Sequence, residues 1–206
     1  ISIKSIFKGI VIFVITLLTI GIIIIIVARA NTYFSNKIKT ENGVDEGVYV
    51  TLGGQEQYLL IRGEDVNNPV IIWLHGGPAG SDAFVNHIFQ KYLVDEYTVI
   101  NWDQRGCGRT YFRNIENDPN NDIATFEQAQ ADLDELVDYA CERFDTDKVI
   151  IIGHSYGTML GSKYVLDNPN KVLALIEPNQ VPIQTGLFPP HIEGVDEKLK
   201  EEVYKK

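Results

Sequence analysis

The stretch that most constrains this chain is Lys148-Val-Ile-Ile-Ile-Gly-His-Ser-Tyr-Gly-Thr-Met-Leu-Gly161. Val149 to Ile152 are consecutive β-branched apolar residues, the composition of a strand buried on both faces. Gly153-His154-Ser155-Tyr156-Gly157 breaks that run, and a helix-compatible segment follows. The sequence therefore predicts a strand, a sharp turn and a helix, with Ser155 at the apex. Small flanking residues permit so tight a turn, and the helix behind Ser155 offers unpaired backbone N–H groups to a nearby negative charge. Two glycines and a serine at this spacing recur by chance in roughly one chain in fifteen of this length. The strand in front of them favours a seat for a nucleophile over a glycine turn with an incidental serine.

Composition excludes more than it assigns. The 206 residues are 45% hydrophobic and 22% charged, ordinary for a globular domain. A formal net charge of −10, with no basic stripe beyond the N-terminal region, argues against a nucleic-acid partner. Cys107 and Cys141 are far apart and read as two free thiols. His75, His87, His154 and His191 show no metal-binding spacing, so no metal is expected, and no motif calls for a cofactor.

Ile10 to Val27 carry no charge. As a helix this run rises about 27 Å, close to the hydrocarbon thickness of a bilayer. Residues 1–30 are expected to form an uncleaved membrane anchor, with the remainder outside the cell. The alternative is a secretory signal cut after Ala28-Arg29-Ala30, although the apolar run exceeds the roughly 7–15 residues of a signal core. Lys4 and Lys8 before the run, and Arg29, Lys37 and Lys39 after it, leave the orientation open.

Residues 31–46 are polar and read as a linker. Beyond it, Val48–Leu52 and Gln57–Ile61 flank Gly53-Gly54 as a hairpin. Val70–Leu74 and Thr98–Trp102 are further strands, with a short helix over His87–Leu93 between them. Thr125-Phe-Glu-Gln128 fits a capping box, Thr125 as N-cap and Gln128 reaching back. The helix after it buries Phe126, Ala129, Leu133, Leu136, Val137, Ala140 and Phe144, with Asp132, Glu135 and Asp138 towards water. A helix to about Asp167 and a strand Val172–Ile176 follow the Ser155 turn. This alternation predicts an α/β core over residues 47–178, a mostly parallel sheet with helices on both faces and its sites at the carboxyl ends of the strands.

Two loops at such strand ends carry chemistry. His75-Gly76-Gly77-Pro78-Ala79-Gly80 would let backbone N–H groups approach a developing oxyanion. The natural donors are Gly77 and Tyr156, with Gly76 completing the turn and His75 acting as a loop-fixing hydrogen bonder rather than a base. No phosphate-loop lysine motif is present. Asp103-Gln-Arg-Gly-Cys-Gly-Arg-Thr110 reads as a structural turn whose Asp103 and Arg105 brace the neighbouring loop.

Together, His75-Gly-Gly-Pro, Asp103-Gln-Arg-Gly-x-Gly and Gly153-His-Ser-Tyr-Gly resemble the proline iminopeptidase group of the α/β-hydrolases. The resemblance covers roughly Val48 to Ile176. It implies an α/β-hydrolase fold, Ser155 as nucleophile, and an oxyanion hole from Gly77 and Tyr156. It also implies a peptide substrate that loses its N-terminal residue, often proline; a small acyl ester is the alternative. Ala79 and Thr110 depart mildly from the group's usual Gly and Ser.

A serine needs a base, normally histidine held by a carboxylate, and in this fold they follow the nucleophile in the chain. Only thirty residues follow Ile176, with Glu177 and His191 as the available pair, and His191 follows Pro189-Pro190 rather than a strand. Residues 179–206 are therefore expected to begin a cap or an irregular tail of a partial chain, a reading that Ile1 in place of a methionine start shares. The competing expectations are an esterase or lipase using the same Ser155, or a catalytically inert anchored protein. An Asp-nucleophile hydrolase is disfavoured by the serine at the apex.

Overall fold

The computed structural model describes residues 3–78 and 80–180. The chain divides into two compact units, Ile1–Lys37 and Ile38–Lys206.

The first unit is one helix, α1 (Ile3–Asn36), with no buried residue. It is long and apolar enough to cross a membrane, a test that a signal sequence also passes. The hydroxyls of Thr16 and Thr19 donate to the carbonyls of Ile12 and Ile15 at 2.9 and 2.8 Å, so these polar groups are satisfied within the helix, as a lipid setting requires. The helix continues through Asn31–Asn36, which the sequence reading gave to the linker. Ser35 Oγ and Asn36 Nδ2 donate to Thr32 O at 3.1 and 2.9 Å, so polar side chains here satisfy a helix carbonyl instead of ending the helix. The connection to the first strand is only residues 37–43.

The second unit is a six-stranded sheet, β1 (Val44–Leu52), β2 (Gln55–Gly63), β3 (Val70–Leu74), β4 (Thr98–Asp103), β5 (Val149–Gly153) and β6 (Val172–Ile176). The order is β1-β2-β4-β3-β5-β6. β1 and β2 form the expected antiparallel hairpin, Leu52 opposite Gln55, and β2 pairs antiparallel with β4; the remaining pairs are parallel. Gly53 and Gly54 lie at φ 52° and 75°, the left-handed pair that a two-residue hairpin turn needs.

Side chains alternate across the sheet with the period of two that strands impose. Ile72, Leu74, Ile100, Trp102 and Ile151 join the larger core under α4 (Phe126–Arg143) and α5 (Tyr156–Asp167), while Ile71, Val99 and Ile152 face the opposite side with Val94. On this sheet α2 (Ala83–Phe89) packs on β4, and α3 (Gly108–Asn114) on β2 and β4. α2 replaces the helix expected at His87–Leu93: it starts earlier, and a single 3₁₀ turn covers Gln90–Tyr92. α3, with glycine at its first position, is a helix that periodicity did not reveal.

α4 carries the expected stripe, and Thr125 Oγ1 accepts from Gln128 N–H at 3.1 Å. Two expectations about this helix are corrected. Gln128 does not reach back; its amide donates to Asp132 at 2.9 Å. Asp132 does not face water; it is fully buried, because Arg105, Gln57 and Gln128 all donate to its carboxylate. A buried carboxylate requires such donors, and Gln128 is committed to it rather than to the helix end.

Candidate functional site

The end of β5 passes straight into α5 through Ser155, whose φ of 51° and ψ of −116° are rare for a residue with a side chain. The cause is crowding. A Cβ on Gly153 would strike the backbone of Gly157 and Thr158, and one on Gly157 would strike the carbonyl of Leu74 at the end of β3. His154 N–H donates to that same carbonyl at 3.0 Å, docking the elbow on β3. Gly157 N–H returns to His154 O at 2.8 Å, and Thr158 N–H and Oγ1 donate to Ser155 O at 2.9 and 2.6 Å. Ser155 is held in a strained turn, half-buried, and among the described residues its hydroxyl has no hydrogen-bond partner.

Gly76 leans on this elbow: a Cβ there would lie 3.1 Å from Ser155 Cβ and 3.2 Å from His154 Nδ1. Gly77 follows at φ 129°, exposed, in a backbone conformation suited to glycine. Tyr156 opens α5, where a first-turn N–H has no intrahelical acceptor. Its ring meets Phe126 edge-on at 6.1 Å, and burial, with the charge of Glu127 adding to it, pushes its phenol up to about 12. The structure thus brings Gly76, Gly77, Ser155 and Tyr156 to one place. Ala79 lies outside the described residues.

The loop after β4 grips the loop after β3. Gln104 N–H donates to His75 Nε2 at 3.2 Å, and the Gln104 amide donates to His75 O at 3.3 Å. Cys107 Sγ lies 3.0 Å from both His75 Nε2 and Gln104 O. Asp103 accepts from the Ser81 hydroxyl and, at 2.8 Å, from Arg109 N–H. His75 is buried, and desolvation holds its pKa below 6.5 against the raising effect of Gly76 O, so it is neutral. Burial likewise pushes the Cys107 thiol up, so it stays protonated; Cys107 and Cys141 are free.

Arg105 turns away from the site. Its guanidinium makes a buried bidentate pair with Asp132, both bonds at 2.8 Å, and donates to Gly53 O at 2.9 Å, tying the β1–β2 hairpin to α4. Thr110 Oγ1 donates to Asp103 O at 2.5 Å and accepts from Tyr58 N–H at 2.9 Å, work that a serine hydroxyl would also perform.

The structure does not bring Glu177 to Ser155. Its carboxylate accepts from Ser162 Oγ, two turns further along α5. His191 lies outside the described residues. Sequence reading overlooked Gln104 and Ser81 and turned Asp132 towards water. Only Asp132 left a signal: it sits within the stripe of Ala129, Leu133, Leu136 and Val137, where a carboxylate has to find a buried partner.

Relatives of known name carry the same segment. The chain is 32% identical over 122 residues to a probable aminopeptidase, YbaC, of Bacillus subtilis (strain 168), a match covering 59% of this chain and 37% of the relative. It is 30% identical over 129 residues to the proline iminopeptidase of Lactobacillus delbrueckii subsp. lactis, covering 62% and 42% respectively. Matched residues therefore span about two fifths of the curated relatives' length. Among solved structures, an esterase of a marine microorganism superposes with a TM-score of 0.50 at 25% identity, over 70% of this chain and 49% of the esterase. The family model described as alpha/beta hydrolase fold matches residues 69–204, from the start of β3 through the elbow and beyond, and the chain belongs to that family.

Proposed function

We propose that this is a membrane-anchored serine hydrolase of the proline iminopeptidase type, with Ser155 as its nucleophile. The observation that carries the reading is the strained Ser155 at the start of α5, packed against Gly76, in a chain whose curated relatives include a probable aminopeptidase and a proline iminopeptidase. Ser155 Oγ attacks the carbonyl of the substrate's N-terminal residue and its proton passes to a histidine base. The carbonyl oxygen takes up the negative charge against the N–H groups of Gly77 and Tyr156. Collapse expels the shortened peptide's amine, which takes the proton, and water then frees the acyl group from Ser155. The base and its carboxylate belong to the proposal for the whole protein. Glu177 with His191 is the weakest assignment, because Glu177 is engaged by Ser162.

Fluorophosphonate labelling of the full-length protein tests the nucleophile: label on Ser155 is expected, and no label on a folded protein ends the reading. Parallel assays on prolyl amides and short-chain esters separate the peptidase from the esterase that the marine enzyme's likeness brings in. The length and apolar character of α1 support a membrane segment, and in the proposed arrangement it is an uncleaved anchor with the hydrolase outside the cell. Digestion of intact cells with external protease is expected to remove the hydrolase unit. A mature N-terminus just after Ala30 would show secretion instead.

A further inference from the structure

His75 is 1% exposed, immediately precedes Gly76-Gly77, and makes no hydrogen bond to Ser155 among the described residues. Each ring nitrogen meets a backbone partner with only one possible role, and Nε2 also lies 3.0 Å from the Cys107 thiol, which can donate or accept. Gly76 O, 2.7 Å from Nδ1, can only accept, and Gln104 N–H, 3.2 Å from Nε2, can only donate. One neutral tautomer satisfies both, with the proton on Nδ1 and the lone pair on Nε2. The other tautomer exchanges both backbone bonds for one weak bond to Cys107 Sγ, and an imidazolium loses the backbone bond at Nε2, in a site with little water to replace them.

Gly76 O belongs to the peptide unit whose N–H is that of Gly77. In a trans peptide the two groups point to opposite sides of a rigid plane. Gly80 N–H holds the same oxygen at 3.2 Å, so the plane is gripped at its oxygen end by His75 and Gly80 together. The Gly77 N–H is thereby turned the other way, in a loop that lies against Ser155.

We infer that His75, as its Nδ1–H tautomer, is a positioning residue that aims the Gly77 N–H at the oxygen of the reacting carbonyl, and that Gln104 N–H selects that tautomer. This rests on the serine hydrolase reading and extends it: the loop after β4 acts on the oxyanion hole through one imidazole.

The test uses the full-length protein in detergent micelles, labelled with ¹⁵N-histidine; the four histidines of this chain are assigned by substituting each in turn. A neutral Nδ1–H signature for His75 at neutral pH is expected, and an Nε2–H or averaged signal overturns the inference. In kinetics, His75→Gln can keep the Gln104 bond but lacks a donor at Gly76 O, so kcat should fall about 100-fold while KM stays within about threefold. His75→Asn places an amide N–H near the Nδ1 position and should recover about tenfold of that loss. Wild-type kcat in the His75→Gln protein, or a loss confined to KM, overturns the role. A Ser155→Ala protein with wild-type turnover overturns the hydrolase reading as well; an inactive Ser155→Ala beside a fully active His75→Gln overturns the positioning role alone. If a His75 variant does not fold, the tautomer measured in the wild type decides.

Discussion

The two sides of Ser155 are built on different principles. On one side, the elbow from Gly153 to Gly157 is held by backbone crowding between neighbours in sequence and the end of β3. On the other, the loops after β3 and β4 are held by side chains that meet from afar: Ser81 with Asp103, Gln104 with His75, and Arg105 with Asp132 from α4. The first arrangement tolerates no added carbon, and the second tolerates no lost donor. Position along the chain therefore says little about how a site residue fails when changed.

Substitutions can break or sharpen this contrast. The largest effect is expected at the apex. Ser155→Ala should cost on the order of 10⁶ in kcat in the full-length protein while it remains folded, and a residual turnover near one hundredth would sink the nucleophile assignment.

Next comes the donor side. Arg105→Met leaves Asp132 buried without its ion partner and should cost about 3–5 kcal/mol in denaturant unfolding, most of it recovered in the Arg105→Met, Asp132→Leu double variant. If the double variant is no more stable than the single one, the bidentate pair is not what carries that side.

The crowded side is sharpened by two glycines of one helix. Gly157→Ala drives a Cβ into the Leu74 carbonyl and should cost about 3 kcal/mol. Gly161→Ala meets side chains rather than backbone, Leu175 and Ile151 at 3.1 and 3.2 Å and Leu74 at 3.5 Å, and gains helix propensity, so a change within about 1 kcal/mol is expected. Equal costs at the two positions would refute the account of the elbow.

A smaller effect follows from His75. Its folded pKa lies below the ordinary 6.5, so the unfolded chain binds the proton first as pH falls. Stability is therefore whole above about pH 6.5 and declines below it until the depressed folded value is passed. Unfolding curves at neutral and mildly acidic pH would measure this slope, and the same slope in His75→Gln would assign it to other groups. Smallest of all, Thr125→Ala should cost about 1 kcal/mol by removing the cap that Gln128 N–H uses.

Much of the fold was legible because strands and helices announce themselves locally. Val70–Leu74 and Val172–Ile176 fall where the apolar runs put them, and the Gly53-Gly54 hairpin closes as expected. The α2 boundary, α3 and the end of α1 were not legible, since each depends on polar or glycine residues whose role is set by what they touch. Asp132 is the sharpest case: as a carboxylate it is expected to face water, and only Arg105, 27 positions earlier in the chain, makes it tolerable in the buried stripe.

By itself, the sequence determined the strand, turn and helix around Ser155, the apolar character of α1 and the order of the loops that meet at the site. These follow from side-chain size and periodicity, which act over a few residues. Only the tertiary structure decided which atoms those loops present to one another. The His75 tautomer, the commitment of Glu177 to Ser162 and the burial of Asp132 arise when the sheet brings distant donors and acceptors within 3 Å or so. Hydrogen-bond direction is a property of pairs, and the sequence does not state which residues become pairs.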